Sequence, residues 1–169
     1  MKFSLKTRDI AIIGIMSAIL ISVQVAFAFL PNIELVSLII IISTLVFKWK
    51  TLYIIYIFVL VEGLIYGFTT YWICYLYVWT ILMFFTILFK KNRSPFFWAI
   101  LSGTFGLSFG LLCSIPYLFI GGVPLAISTF IVGIPFDIAH CIGNYVIALT
   151  LFKPLYNLLN WTKKNLLTQ

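Results

Sequence analysis

Residues 33–68 read IELVSLIIIISTLVF, then KWK, then TLYIIYIFVLVEGLIYGF. Two apolar runs flank a basic turn, Lys48-Trp49-Lys50. A helix needs roughly 20 apolar residues to cross the hydrocarbon core of a bilayer. The runs are read as membrane spans over 33–47 and 52–68, joined at that turn. The first is short, so it is expected to tilt little or to be extended by its flanks.

The pattern continues in both directions. Further spans are expected at 10–30, 71–89, 96–118 and 134–152. The apolar stretch 119–133 carries Gly121, Gly122 and Pro124. A short helix over 124–132 is the preferred reading there; a last span that starts near Pro124 is the alternative. Pro135 suits the first turn of a helix starting at 134, with Asp137 at its positive end.

Composition agrees. Of 169 residues 63% are hydrophobic, and only 11 Lys or Arg and 4 Asp or Glu are charged. Mean hydropathy is +1.17, whereas an ordinary soluble domain is about a quarter charged. A globule this small cannot hide so much apolar surface. A soluble enzyme, a disordered chain and a nucleic-acid-binding domain are excluded. The chain reads as an all-α polytopic membrane protein, one domain over 1–169 with six transmembrane helices. Cys74, Cys113 and Cys141 lie in apolar stretches and suit buried small residues better than a disulfide framework.

The bases set the orientation. Lys2, Lys6 and Arg8 precede the first span. Lys48 and Lys50 follow the second, and Lys90, Lys91 and Arg93 follow the fourth. Lys153, Lys163 and Lys164 follow the sixth. With six spans all eleven fall on one side, which the positive-inside rule makes cytoplasmic, together with both termini. The net charge of +7 is thus an orientation signal, and no nucleic-acid partner is expected. Contact of these loops with the lipid bilayer is expected but generic. Ala26-Phe27-Ala28 imitates a signal-peptide cleavage site, but the apolar run before it is longer than a signal core. It is read as an uncleaved span.

Ionisable groups inside a membrane are costly and are functional candidates by default. Glu34 lies at the outer end of the second span. Glu62 lies six residues before Phe68, about 9 Å below the outer end of the third at 1.5 Å per residue. Asp137, His140 and Asn144 share one helical face at i, i+3 and i+7. All belong to the outer half, which argues for a pocket open to the outside and closed below. Asp9 is the one cytoplasmic acid. The structural alternative is internal pairing of Glu62 or Asp137 with His140 or Asn144.

Aromatics surround the same level. Tyr66 lies one turn beyond Glu62. Trp72, Tyr75 and Trp79 form a stripe that begins beside Tyr71, and Tyr117 ends the fifth span. Tyr71 and Trp72 also fit an interfacial belt, and Trp79 fits core or pocket. Aromatic faces beside carboxylates suit a flat, nitrogen-bearing ligand. Two small-residue stripes complete the inventory: Ala11, Gly14, Ala18, Ser22 and Ala26 in the first span, and Ala99, Gly103, Gly106 and Gly110 in the fifth. Such stripes serve close helix packing or offer a smooth face to a partner.

With these features the chain resembles the substrate-binding S components of energy-coupling factor transporters, which import vitamins into prokaryotes. The resemblance spans nearly the whole chain. It rests on six spans, size, both termini inside, Ile10-Ala11-Ile12-Ile13-Gly14-Ile15-Met16-Ser17-Ala18 followed by Leu30-Pro31-Asn32, and Gly133-Ile134-Pro135-Phe136-Asp137 with His140 and Gly143-Asn144. In that family an Ala-x-x-x-Ala pattern of the first span docks on a transmembrane scaffold subunit. Here Ala11 is followed by Ile15, and the nearest match is Gly14-x-x-x-Ala18. The resemblance implies a multi-pass protein of the prokaryotic plasma membrane that captures a small vitamin-like or nucleobase-like molecule from outside. Its partners would be the scaffold and two ATPases, docked through Ala11, Gly14, Ala18 and Ser22. Substrate would be held by Glu34, Glu62, Tyr66, Trp72, Tyr75, Trp79, Tyr117, Asp137, His140 and Asn144.

Other functions compete less well. The chain has no phosphate loop ending in Lys-Ser/Thr, so it is not the ATPase. An intramembrane enzyme built on Asp137, His140 and Cys141 lacks a second His and any His-Glu-x-x-His or Gly-x-Ser-x-Gly motif. No catalytic residue, metal or cofactor is expected. An autonomous carrier would show repeats and broken helices at the midplane, and none is visible.

Overall fold

A computed structural model describes residues 5–30 and 32–166. Lys2 and Pro31 lie outside the described residues. Among those described there is helix and no strand. The helices are α1 (Thr7–Phe27), α2 (Val36–Phe47), α3 (Thr51–Tyr66), α4 (Thr70–Leu88) and α5 (Pro95–Leu166). A 3-10 turn, Lys48–Lys50, joins α2 to α3.

Four helical stretches among the described residues are long and apolar enough to cross a membrane: Thr7–Phe27, Val36–Tyr66, Thr70–Leu88 and Pro95–Asn165. The six separate spans are therefore not what the helical boundaries give. The reason is local. At both the basic turn and the Gly121–Gly122 pair the chain changes direction without leaving helical hydrogen bonding for long. Lys48 has φ 57°, and Gly122 has φ 71° with ψ −169°. The latter is a conformation that glycine enters without a Cβ penalty. It splits α5 into a first arm, 95–120, and a second arm, 123–166.

The second arm is continuous through Gly133 and Pro135. There is no separate helix over 124–132, and the long last helix that starts near Pro124 is what forms. Pro135 removes one intrahelical hydrogen bond without ending the helix, as neighbouring helices allow in membranes. Asp137 is consequently mid-helix rather than at a positive helix terminus.

Polar and close contacts fix helix directions. Ser17 Oγ donates to Ile54 O at 3.3 Å, and Lys50 pairs with Asp9 at 2.5 Å, so α1 and α3 run parallel. Tyr77 OH donates to Leu112 O at 2.6 Å, and Cys74 is bonded to Cys113, so α4 and the first arm are antiparallel. Asn144 Nδ2 donates to Ser37 Oγ at 3.2 Å, and Lys163 Nζ to Val46 O at 2.5 Å, so α2 and the second arm are parallel. The Cys74–Cys113 bond corrects the expectation of unpaired cysteines. Antiparallel packing brings the two Cα atoms to 5.1 Å, within disulfide reach. Cys141 alone is free.

The sequence VSLIIIISTLVF is apolar all round, as a central helix must be, and every residue of α2 except Leu45 is buried. It touches each of the other four helices. The outside is as apolar as the inside. On the second arm Ile134, Phe136, Ile138, Ile142 and Val146 are exposed, whereas Asp137, His140 and Asn144 are buried. Polar-in, apolar-out patterning is the reverse of a water-soluble helix and marks a surface built for lipid.

The two small-residue stripes part company. Gly103 and Gly106 are buried between the arms of α5, and a Cβ on Gly106 would sit 2.8 Å from His140 O. Ala11, Gly14, Ala18, Ser22 and Ala26 are exposed on α1, and a Cβ on Gly14 would meet nothing within 4 Å. The fifth-span stripe is packing; the first-span stripe is a smooth outer face.

Candidate functional site

The basic turn at 48–50 and the 88–95 loop lie at one end of the bundle; Glu34, Glu62, Asp137 and His140 lie toward the other. Two adjoining cavities occupy this acidic end. One, about 150 Å³, is lined by Glu34, Tyr71, Tyr75, Trp79, Phe109 and His140, with Gln24 and Asn32. The other, about 290 Å³, is lined by Glu62, Tyr66, Tyr71, Trp72 and Tyr75, again with Gln24. Tyr71, Tyr75, Gln24 and Ala28 belong to both walls. Together they fall within the range of small-molecule sites, about 300–1,000 Å³.

Glu34 precedes α2 and is anchored there. It accepts from Ser37 N at 2.8 Å and Ser37 Oγ at 2.5 Å. His140 Nε2 lies 3.2 Å from its Oε1. A carboxylate only accepts, so Nε2 is the donating nitrogen of this contact, and Nδ1 has no partner among the described residues. One turn deeper, Asn144 reaches Ser37 Oγ and, at 3.5 Å, Ser102 O. One turn the other way, Asp137 Oδ1 accepts from Gly110 N at 2.9 Å. The shared face of 137, 140 and 144 thus stitches the second arm to α2 and to the first arm.

The aromatic wall is one connected cluster. Tyr75 and Trp79 meet edge to face with centroids 5.4 Å apart, and Trp79 lies 5.7 Å from Phe109. Phe109 in turn meets the His140 ring at 5.0 Å. Trp72 is spoken for differently: its Nε1 donates to Val59 O at 2.8 Å, tying α4 to α3.

Several buried polar atoms have no hydrogen-bond partner among the described residues. They include Glu62 Oε1, Trp79 Nε1, Asp137 Oδ2 and His140 Nδ1. Such a group forfeits about 1–3 kcal/mol unless something pairs with it. Three of the four belong to residues on the cavity walls. The set offers a carboxyl oxygen on Glu62, a ring nitrogen on His140 and an N–H donor on Trp79, beside aromatic faces. That arrangement fits a flat molecule with both kinds of hydrogen-bonding group at its edge.

Compared with family models, curated proteins and solved structures, the chain matches none.

Glu34, Glu62, Tyr66, Trp72, Tyr75, Trp79 and His140 line the two cavities. Asp137 and Asn144 do not; they are buried between helices and bond Gly110, and Ser37 and Ser102, on either side of His140. Tyr117 is half-buried near the end of the first arm and lines neither cavity. Neither Glu62 nor Asp137 bonds His140 or Asn144; the partners are Glu34 and Ser37. Gln24 and Phe109 were not among the expected site residues. Gln24 is the one amide of the apolar run 10–30, a signal that sequence offers. Phe109 is one of 17 phenylalanines, and nothing in sequence singles it out. Among the described residues no cluster of His, Cys, Asp and Glu has the geometry of a metal site.

Proposed function

We propose that this protein is the membrane-embedded substrate-binding subunit of an energy-coupling factor importer. It would take up a small vitamin-like or nucleobase-like molecule at the acidic end and pass it inward with the help of a scaffold subunit and two ATPases. One observation carries the reading: Glu62, Trp79 and His140, each with a buried polar atom that has no partner among the described residues, line adjoining cavities at the end opposite the bases. A conduction path would need polar groups right across the bundle, and among the described residues the buried polar side chains toward the basic end are Ser and Thr.

In this reading the chain crosses the membrane six times. The alternating helix directions and the reversal at Gly121–Gly122 support that count. The basic end is cytoplasmic by the positive-inside rule, with both termini on that side. The Cys74–Cys113 bond then lies toward the oxidising exterior, where disulfides persist. The exposed face of Ala11, Gly14, Ala18 and Ser22 is the docking surface for the scaffold, since small residues allow helices to approach closely in lipid.

Uptake assays test the division of labour. Cells that carry an energy-coupling module should accumulate the substrate through this protein, and cells without one should not. Accumulation without the module would make the protein an autonomous carrier.

A further inference from the structure

The opposite end of the bundle holds a second feature that substrate capture does not use. A cleft of about 300 Å³ opens between the C-terminal ends of α2 and α4, lined by Lys48, Lys90, Lys91 and Arg93 over Leu45 and Ile87. We propose that it binds a phosphate-bearing ligand, supplied by the headgroup of an anionic phospholipid.

The chain has four acids. Glu34, Glu62 and Asp137 belong to the far end, and Asp9 is taken by Lys50. No Asp or Glu side chain is left to neutralise the cleft. The two helix C-termini offset part of the charge, about half an electron each, against four cations. Lys48, Lys90 and Lys91 have no ion-pair partner among the described residues. The Arg93 guanidinium lies over the Tyr156 ring, 5.4 Å from its centroid. Stacking holds the planar group in place and leaves its edge N–H donors for a phosphate.

The floor selects the source. Free phosphate has no use for Leu45 and Ile87 beneath the cations. A lipid does: the headgroup meets the bases while the acyl chains run along the apolar surface below, where Phe85 and Leu88 of α4 are exposed. Basic pockets between helices on the cytoplasmic side are known to take anionic headgroups.

Native mass spectrometry of the purified protein tests this, with phosphatidylglycerol and phosphatidylcholine of identical chains offered in equal amounts. The wild type should retain phosphatidylglycerol at least tenfold better. Lys90→Gln/Lys91→Gln/Arg93→Gln should lose the preference, by roughly fivefold per cation removed. Lys90→Arg/Lys91→Arg should keep it, which separates lost charge from lost fold. Lys153→Gln/Lys164→Gln, at the same end but outside the cleft, should also keep it. Unchanged retention in the triple variant, or equal loss in the Lys153/Lys164 control, would overturn the cleft in favour of a diffuse basic surface. Inorganic phosphate is the second arm: saturable phosphate binding with no preference between the two lipids would overturn the lipid source.

Discussion

His140 Nε2 and Glu34 Oε1 lie 3.2 Å apart, although 106 positions separate them in the chain. This contact joins the segment entering α2 to the second arm of α5, and it forms one wall of the smaller cavity. It fixes the imidazole at that wall and leaves Nδ1 without a partner among the described residues. His140→Ala should therefore weaken ligand binding by tenfold or more in calorimetry. Its effect on thermal stability should be modest, since side-chain hydrogen bonds in membrane proteins contribute on average about 0.6 kcal/mol. Loss of stability with intact affinity would make the pair purely structural.

Trp79 separates packing from recognition. Its ring is buried against Phe58, Phe105 and Phe109, but its Nε1 has no partner. Trp79→Phe keeps an aromatic ring and removes the unpaired donor. Thermal unfolding should shift little or slightly upward, because an unsatisfied buried group disappears. Ligand affinity should fall by about tenfold, the worth of roughly one hydrogen bond. A variant that binds as tightly as wild type would show that this N–H faces no ligand.

The two glycine stripes give opposite expectations for one chemical change. Gly106→Ala would press a methyl group to 2.8 Å from the His140 carbonyl oxygen, and should destabilise the protein by about 1–3 kcal/mol. Gly14→Ala meets open space and should be neutral or stabilising by up to about 1 kcal/mol, since alanine is the better helix former. A larger side chain, Gly14→Leu, should leave ligand binding intact and abolish co-purification with the scaffold subunit. Intact co-purification would move docking to another face.

The cysteines provide a covalent check on helix pairing. Alkylation of the unfolded protein without reductant should label Cys141 only. After reduction all three cysteines should react, with the mass difference read by intact-protein spectrometry. Three labels without reductant would remove the α4–α5 crosslink.

Much of this architecture was legible because it follows from composition along the chain. Apolar runs separated by Lys48-Trp49-Lys50 and by Lys90-Lys91 place the helices and their common basic end. Polar residues in apolar runs are rare enough that Glu62, His140 and Glu34 stand out. What stayed hidden depends on three-dimensional pairing. The i, i+3, i+7 spacing puts Asp137, His140 and Asn144 on one face. It does not say that His140 reaches the cavity while its neighbours are spent on Gly110, Ser37 and Ser102. Cys74 and Cys113 are 39 positions apart, and only the antiparallel packing of α4 on the first arm brings them together. Pro135 looked like a helix start because its missing N–H is harmless there. In a bundle of this kind the neighbouring helices tolerate it mid-helix.

Glu62 tests the central claim most directly, because its Oε1 is buried without a partner and it lines a cavity apart from the Glu34–His140 contact. The measurement is analysis of small molecules that co-purify with wild type and with Glu62→Gln, followed by calorimetry of the molecule found. Wild type should carry one heteroaromatic, donor-bearing compound in stoichiometric amount, and Glu62→Gln should bind it at least tenfold more weakly while remaining folded. A Glu62→Gln protein that carries and binds the compound as well as wild type would contradict the assignment of these cavities as the substrate site.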